Sequence, residues 1–146
     1  MIRGKFLLSS DDIGDVLRVR EGVAEFKGAG RDGRDDMAVY ALAFDEAGSP
    51  CGCGRMYVDG DSHFRIDYLG VLSHQRKKGV GDLLMRMLIY RAQDLHAASV
   101  YLNAPEEVSA FFERYGFRNA DARANDGERA LMATDAELSL SGGCSA

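Results

Sequence analysis

HQRKKGVGDLLMRML, residues 74–88, is the stretch from which the rest of the chain can be read. Gly79 and Gly81 lie one residue apart. Arg76, Lys77 and Lys78 stand directly before them, and leucines and methionines follow at helical spacing. A strand that turns through Gly-x-Gly into a helix leaves backbone N–H groups unpaired at the helix N-terminus. Those amides and the helix dipole attract anions. Glycine lets the backbone come close to a phosphate, because no Cβ stands in the way. The stretch therefore reads as a phosphate or pyrophosphate cradle made by the main chain from Arg76 to Gly81. It is not a Walker loop, which needs Gly-Lys-Ser/Thr where this chain has Gly81-Asp82-Leu83. It is not a dinucleotide fingerprint either, since Leu84 stands where the third glycine belongs.

Outward from this stretch the chain alternates extended and helical patterns. SSDDIGDVLRVREGVAEF, residues 9–26, opens with N-cap chemistry and spaces Ile13, Val16, Leu17, Val23 and Ala24 as a helix does. GAGRDGRDD, residues 28–36, is rich in glycine and charge and reads as a mobile loop or a lid. Residues 37–45 form a strand. Asp59-Gly60 then signals a hairpin, so 37–72 reads as three antiparallel strands, the last from His63 to Leu72. A helix over 81–95 carries Leu84, Met87, Leu88, Ala92 and Leu95 on its apolar stripe. SVYLNA, 99–104, is a strand that should lie parallel to the one before the helix. Pro105 should open another helix with Val108, Phe111, Phe112 and Tyr115 on one face and Gly116 as its stop. One or two strands follow, with a weak hairpin turn at Asn125-Asp126-Gly127 and a frayed LSGGCSA end. The class is α+β with a mixed sheet, in one domain over residues 1–146.

The chain has 146 residues, 46% of them apolar and 28% charged, which is enough for one core without staples. A net charge of -5 speaks against a general nucleic-acid binder, which needs a basic face. Cys51, Cys53 and Cys144 complete no zinc pattern and read as thiols in a reducing cytoplasm, with no metal expected. No run has the length of a membrane span, and MIRGKFLLSS lacks the apolar region of a signal peptide.

Arg76-Lys77-Lys78-Gly79-Val80-Gly81 resembles the R/Q-x-x-G-x-G/A pyrophosphate loop of the GNAT superfamily of acyl-CoA-dependent N-acyltransferases. The flanks match as well: YLGVLSHQRKKGVGDLLMRML is similar to that family's fourth strand, loop and third helix, and VYLNAPEEVSAFFERYGF to its fifth strand and following helix. The resemblance implies a mostly antiparallel sheet flanked by helices, with splayed fourth and fifth strands. It implies acetyl-CoA as acyl donor, an amine acceptor, direct attack of the amine on the thioester in a ternary complex, and no metal. Leu69, Gly70 and Val71 would meet pantetheine, the Val71 N–H polarising the thioester carbonyl. Arg76, Lys77, Lys78, Gly79, Val80 and Gly81, with Asp82 beside them, would hold the pyrophosphate, and Asn103 and Phe112 would touch the cofactor.

Asp67 and His63 are candidate bases, at period-2 spacing from Leu69 and Val71. The family's usual acid is a tyrosine where this chain has Phe112, and Tyr115, three residues on, is the candidate replacement. Arg20, Glu21, Glu25 and the 28–36 stretch fall where the family shapes its acceptor pocket. The alternatives are an acyl-CoA-binding sensor without turnover, which Phe112 favours, and a protein that binds another phosphate ligand such as a nucleotide. Many relatives dimerise, so a homodimer is among the expectations; nucleic acid and membrane are not expected partners.

Overall fold

A computed structural model describes residues 1–120 and 127–140. Seven strands run β1 (Arg3–Leu8), β2 (Val39–Phe44), β3 (Pro50–Val58), β4 (His63–Val71), β5 (Ser99–Pro105), β6 (Arg118–Asn119) and β7 (Glu128–Thr134). Three α-helices, α1 (Gly14–Gly22), α2 (Val80–Asp94) and α3 (Ser109–Glu113), lie between them. The strands form one sheet in the order β1-β2-β3-β4-β5-β7-β6. Pairing is antiparallel for β1–β2, β2–β3, β5–β7 and β6–β7 and parallel for β4–β5. The expected mixed, mostly antiparallel sheet is thus present. The parallel pairing covers His63–Arg65 against Ser99–Tyr101 and stops there, although β4 continues to Val71 and β5 to Pro105.

The chain divides into two compact units, Met1–Tyr57 with Ile66–Leu88, and Val58–Arg65 with the residues from Ile89 onward. In the first unit, α1 buries Val16 and Val19 beside Tyr40 and Leu42 of β2 and Cys53 and Tyr57 of β3. The CGCG run of β3 has a packing reason. Alternation sends Cys51 and Cys53 to one face and Gly52 and Gly54 to the other. A Cβ on Gly52 would come within 2.7 Å of Val80, and one on Gly54 within 2.9 Å of Leu69 and Leu88. The missing side chains let α2 and β4 sit directly against β3.

Both thiols are buried, and burial pushes them up in pKa, Cys53 to about 12 against a small opposing pull from Arg20. Thiolate is the reactive form. Native protein at pH 8 should therefore leave Cys53 unmodified by iodoacetamide, while protein in denaturant is alkylated there; peptide mass mapping checks this.

In the second unit, β5 pairs with β7 along its whole length, from Ser99↔Thr134 to Pro105↔Glu128. Gly116 ends the turn after α3 at φ 97°, and a Cβ there would lie 1.9 Å from the Glu137 carbonyl oxygen. Only glycine fits both demands.

Several expectations need correction. β1 is an addition to the elements read from the sequence; its identity comes from pairing with β2, Arg3↔Phe44 to Leu8↔Val39. The first helix is shorter than 9–26. It starts at Gly14, whose N–H donates to Asp12 Oδ1 at 2.8 Å, and it gives way to a 3-10 turn at Ala24–Phe26. Residues 28–36 are not a plain loop, since Gly33–Asp36 form a 3-10 turn with a capping box between Asp32 and Asp35. Pro105 closes β5 instead of opening a helix; a 3-10 turn, Glu106–Val108, precedes α3, and Val108 is 41% exposed. On α2, Leu84, Leu88 and Ala92 are buried as expected. Met85 and Ile89 join them, while Leu95 is exposed beyond the helix end. The Asn125-Asp126-Gly127 turn, the 141–146 end and Cys144 lie outside the described residues, apart from Gly127 at φ 79°.

Candidate acyl-CoA site

The 74–88 stretch folds as a strand end, a tight turn and a helix start. Leu72 N–H donates to the Cys51 carbonyl of β3 at 2.8 Å, and Ser73–Gln75 make one 3-10 turn. Gln75 Nε2 donates to Asp45 Oδ2 at 3.1 Å, and Arg76 Nε to the Val71 carbonyl at 3.1 Å. These bonds fix both ends of the bend. Within it the backbone turns left-handed twice, at Lys77 (φ 66°) and Gly79 (φ 84°). A Cβ on Gly79 would meet nothing within 4 Å, so the space beside it is open. α2 begins at Val80, and Leu83 N–H closes back onto the Gly79 carbonyl at 3.0 Å.

The main-chain amides of the bend divide into two groups. Arg76 N–H is engaged by the Ser73 carbonyl at 3.3 Å. Among the described residues, the amides of Lys77, Lys78, Gly79, Val80 and Gly81 have no protein acceptor. Lys77, Lys78 and Gly79 are exposed. Asp82 in the first turn is paired by Arg86 Nε at 2.9 Å, which offsets its negative charge beside the amides. Unpaired amides, a helix dipole and exposed ammonium groups together form a site for a multiply charged anion.

β4 leads into this bend with one irregularity. Tyr68 has φ 47°, left-handed for a non-glycine residue inside a strand. Asp67 pairs with Arg55, and the Tyr68 ring lies 4.8 Å from the Arg55 guanidinium, so two consecutive residues turn to the Arg55 face. Leu69 points to the opposite face, that of Gly54, and Gly70 returns to the α1 side near Val23 and Phe26. Asp67 and Leu69 were expected to share a face by period 2; the bulge at Tyr68 breaks that phase. Leu72 N–H faces β3, so alternation turns the backbone groups of Leu69 and Val71 to the other edge. The Val71 carbonyl receives Arg76 there.

Beside the bulge lies a buried ion network that the sequence did not announce. Arg20 (1% exposed), Asp35 (0%) and Arg55 (2%) are enclosed by apolar residues. Arg20 donates through both terminal nitrogens to Asp35, each at 3.1 Å. Tyr40 OH donates to Asp35 Oδ1 at 2.7 Å, and Arg55 Nη1 at 3.2 Å. Arg55 also grips Asp67 with two bonds of 2.7 Å and reaches Asp32 Oδ1 at 2.5 Å. Burial alone would push Asp35 up. The hydrogen bonds from Arg20, Tyr40 and the Asp32 amide outweigh it and hold the carboxyl far below the usual range. Burial likewise favours a neutral Arg55, and the bonds to Asp67 and Asp32 reverse that. This network pins the 28–36 stretch to β3. The signal that could have revealed it is Arg55 itself, a lone cation in an apolar strand, which must have a carboxylate partner.

The remaining candidates sit in the second unit. His63 Nδ1 is 2.5 Å from Ser99 Oγ at the start of β4. Asn103 stands within β5, opposite Ala130, and its buried Oδ1 has no partner among the described residues. Phe112 is buried against Phe111 and Phe117. Tyr115 is fully buried, its ring 5.5 Å from Phe111. Among the described residues, no group of three or more His, Cys, Asp or Glu is arranged to hold a metal ion, and no helix is long and apolar enough to cross a membrane.

The sequence model of the acetyltransferase (GNAT) domain matches residues 35–119, more than half of the chain. The chain belongs to the GNAT acetyltransferase family. Solved structures agree on the fold. A Pseudomonas aeruginosa acyl-CoA N-acyltransferase superposes with a TM-score of 0.78 at 20% identity, covering 92% of this chain and 100% of its own. Escherichia coli ElaA gives 0.77 at 17%, covering 91% and 99%. A PaiA N-acetyltransferase from Thermoplasma acidophilum, solved in complex with coenzyme A, gives 0.70 at 11%, covering 92% and 99%. The GNAT match spans the bulged strand, the bend with its free amides, α2, β5 and α3.

Proposed function

We propose that this GNAT protein transfers an acetyl group from acetyl-CoA to a primary amine of a small molecule or peptide, by direct attack in a ternary complex. The five unpaired amides from Lys77 to Gly81 carry this reading, because a diphosphate is the ligand whose charge and oxygen count suit them. Lys77 and Lys78 add long-range attraction, and Arg76 stabilises the bend through Val71. Leu69, Gly70 and Val71 would offer backbone groups to pantetheine, and Val71 N–H would stabilise the negative charge that develops on the thioester carbonyl oxygen. Acetyl-CoA supplies the activated acyl group; the chain supplies orientation and charge.

The attacking amine must lose a proton. Asp67 is the carboxylate of β4 nearest the bulge, with 33% of its side chain exposed. Each of its oxygens keeps a lone pair after pairing with Arg55, so it would accept the proton through water. Asn103, with a buried and unpartnered acceptor, would receive an N–H of the cofactor, and Phe112 would pack against its apolar part. Tyr115 would supply the thiolate's proton only if its buried hydroxyl became reachable. Tyr115→Phe should accordingly cost less than about tenfold in turnover, roughly 1.4 kcal/mol. A steady-state assay of the variant checks this, and a much larger loss at unchanged stability would make Tyr115 the acid.

The test of the proposal is release of free thiol from acetyl-CoA across a panel of primary amines, read alongside calorimetric binding of CoA. Thiol release that depends on one class of amine is the expected result. The buried Phe112 ring in place of a tyrosine favours a second reading, an acyl-CoA sensor without turnover. Binding of CoA with no thiol release on any amine would establish the sensor. Stabilisation by ATP but not by CoA would overturn both.

A further inference from the structure

Tyr68 is a costly residue at a left-handed position. A side chain at φ 47° in a strand persists only where its surroundings impose it. No glycine is used here, although glycine would take this conformation freely. The surroundings are unusual as well: the Arg20 guanidinium lies 4.1 Å from the Tyr68 ring centre, that of Arg55 lies 4.8 Å away, and Phe26 meets the ring edge at 5.2 Å. Neither arginine can move aside. Asp35 holds Arg20 by two bonds, and Asp67 holds Arg55 by two more. The Cys53 thiol also approaches the Tyr68 carbonyl, at 3.7 Å. The ring is thus fixed by two immobilised cations, whose attraction to a π face is strongest where water is absent.

We propose that Arg20 and Arg55 are positioning residues that act through Tyr68. By clamping the ring they hold the β4 backbone in its bulge. The bulge sets the strand phase in which Leu69 and Val71 turn their backbone groups away from β3 and into the edge assigned to pantetheine. The inference rests on the acyl-CoA reading above. It adds that the ion network between α1, the 28–36 stretch, β3 and β4 exists to shape that edge, and that affinity for the donor is set by residues that never touch it.

A comparison of alanine with glycine at position 68 tests the clamp, because both remove the ring and leave every ion pair in place. Tyr68→Ala should weaken CoA binding in calorimetry by about tenfold, since alanine resists the left-handed backbone once the clamp has nothing to hold. Tyr68→Gly should bind within about threefold of the parent, since glycine keeps the bulge unaided. Arg20→Lys keeps a charge on Asp35 but loses the flat guanidinium. It should weaken CoA with Tyr68 present and have no effect in the Tyr68→Gly background. Equal loss in the alanine and glycine variants would mean that the ring contacts the ligand and would overturn the clamp; so would parent-like binding by Tyr68→Ala. A parent protein that binds no CoA instead removes the acyl-CoA reading, and the parent titration tells the two failures apart.

Discussion

Asp35→Ala should lower the free energy of unfolding by about 3–5 kcal/mol, the cost of leaving a buried charge without its partner. The side chain is fully buried, and its loss strands two guanidiniums at once, Arg20 entirely and Arg55 in part. Tyr40 OH loses its acceptor as well. Urea unfolding followed by circular dichroism measures the change. Asp36→Ala is the control one residue away: its partner Arg31 sits at 3.5 Å with both groups exposed, so the midpoint should barely move. The same carboxyl dictates the acid limb of stability. Its pKa is depressed in the folded state, so its contribution is complete above the unfolded value near ~3.9 and drains away as pH falls below it. Asp32 is depressed in the same direction, where its bond from Arg55 overcomes the effect of burial. The parent should therefore lose stability steeply between about pH 4 and pH 2, and Asp35→Ala should show a shallower slope. A variant as acid-sensitive as the parent would remove Asp35 from this account.

Gly81→Glu should abolish measurable CoA binding, a loss of at least about a hundredfold or 2.7 kcal/mol, while the thermal midpoint stays within a few degrees. The separation follows from where Gly81 lies. It is in the first turn of α2, where an acidic side chain is favourable to the helix itself. Glutamate also has a better helix propensity than glycine. The same side chain adds a negative charge and bulk beside amides whose only offered partner is an anion. Fold and ligand thus respond in opposite senses to one substitution. An unchanged dissociation constant would mean that the diphosphate does not sit on these amides.

What could be read from the sequence is what local chemistry decides. The bend at 76–81, the helix after it and the strand SVYLNA follow from glycine placement, cation clustering and 3.6 or 2-residue periodicity, all contained within a few residues. The hairpin at Asp59-Gly60 is of the same kind, and Asp59 N–H does donate to the His63 carbonyl at 2.7 Å. β1 escaped because MIRGKFLL becomes a strand only through pairing with residues some forty positions on, Arg3↔Phe44. GAGRDGRDD reads as a mobile loop or a lid because burial of Asp35 depends on Arg20 and Arg55, which are distant in the chain. The bulge at Tyr68 left no trace, since tyrosine is a residue the left-handed region disfavours, and its cause is two arginines from other elements. Pro105 misled because proline suits a strand end as well as a helix start.

Among the described residues, the two margins of the sheet differ in how they deter unwanted neighbours. β6 is only a two-residue strand, too short to template anything. β1 is longer, and it carries exposed Arg3 and Lys5. A second copy adding itself there would bring like cations face to face, so concentrated solutions of this protein should resist ribbon-like self-assembly without any help from a chaperone or a salt.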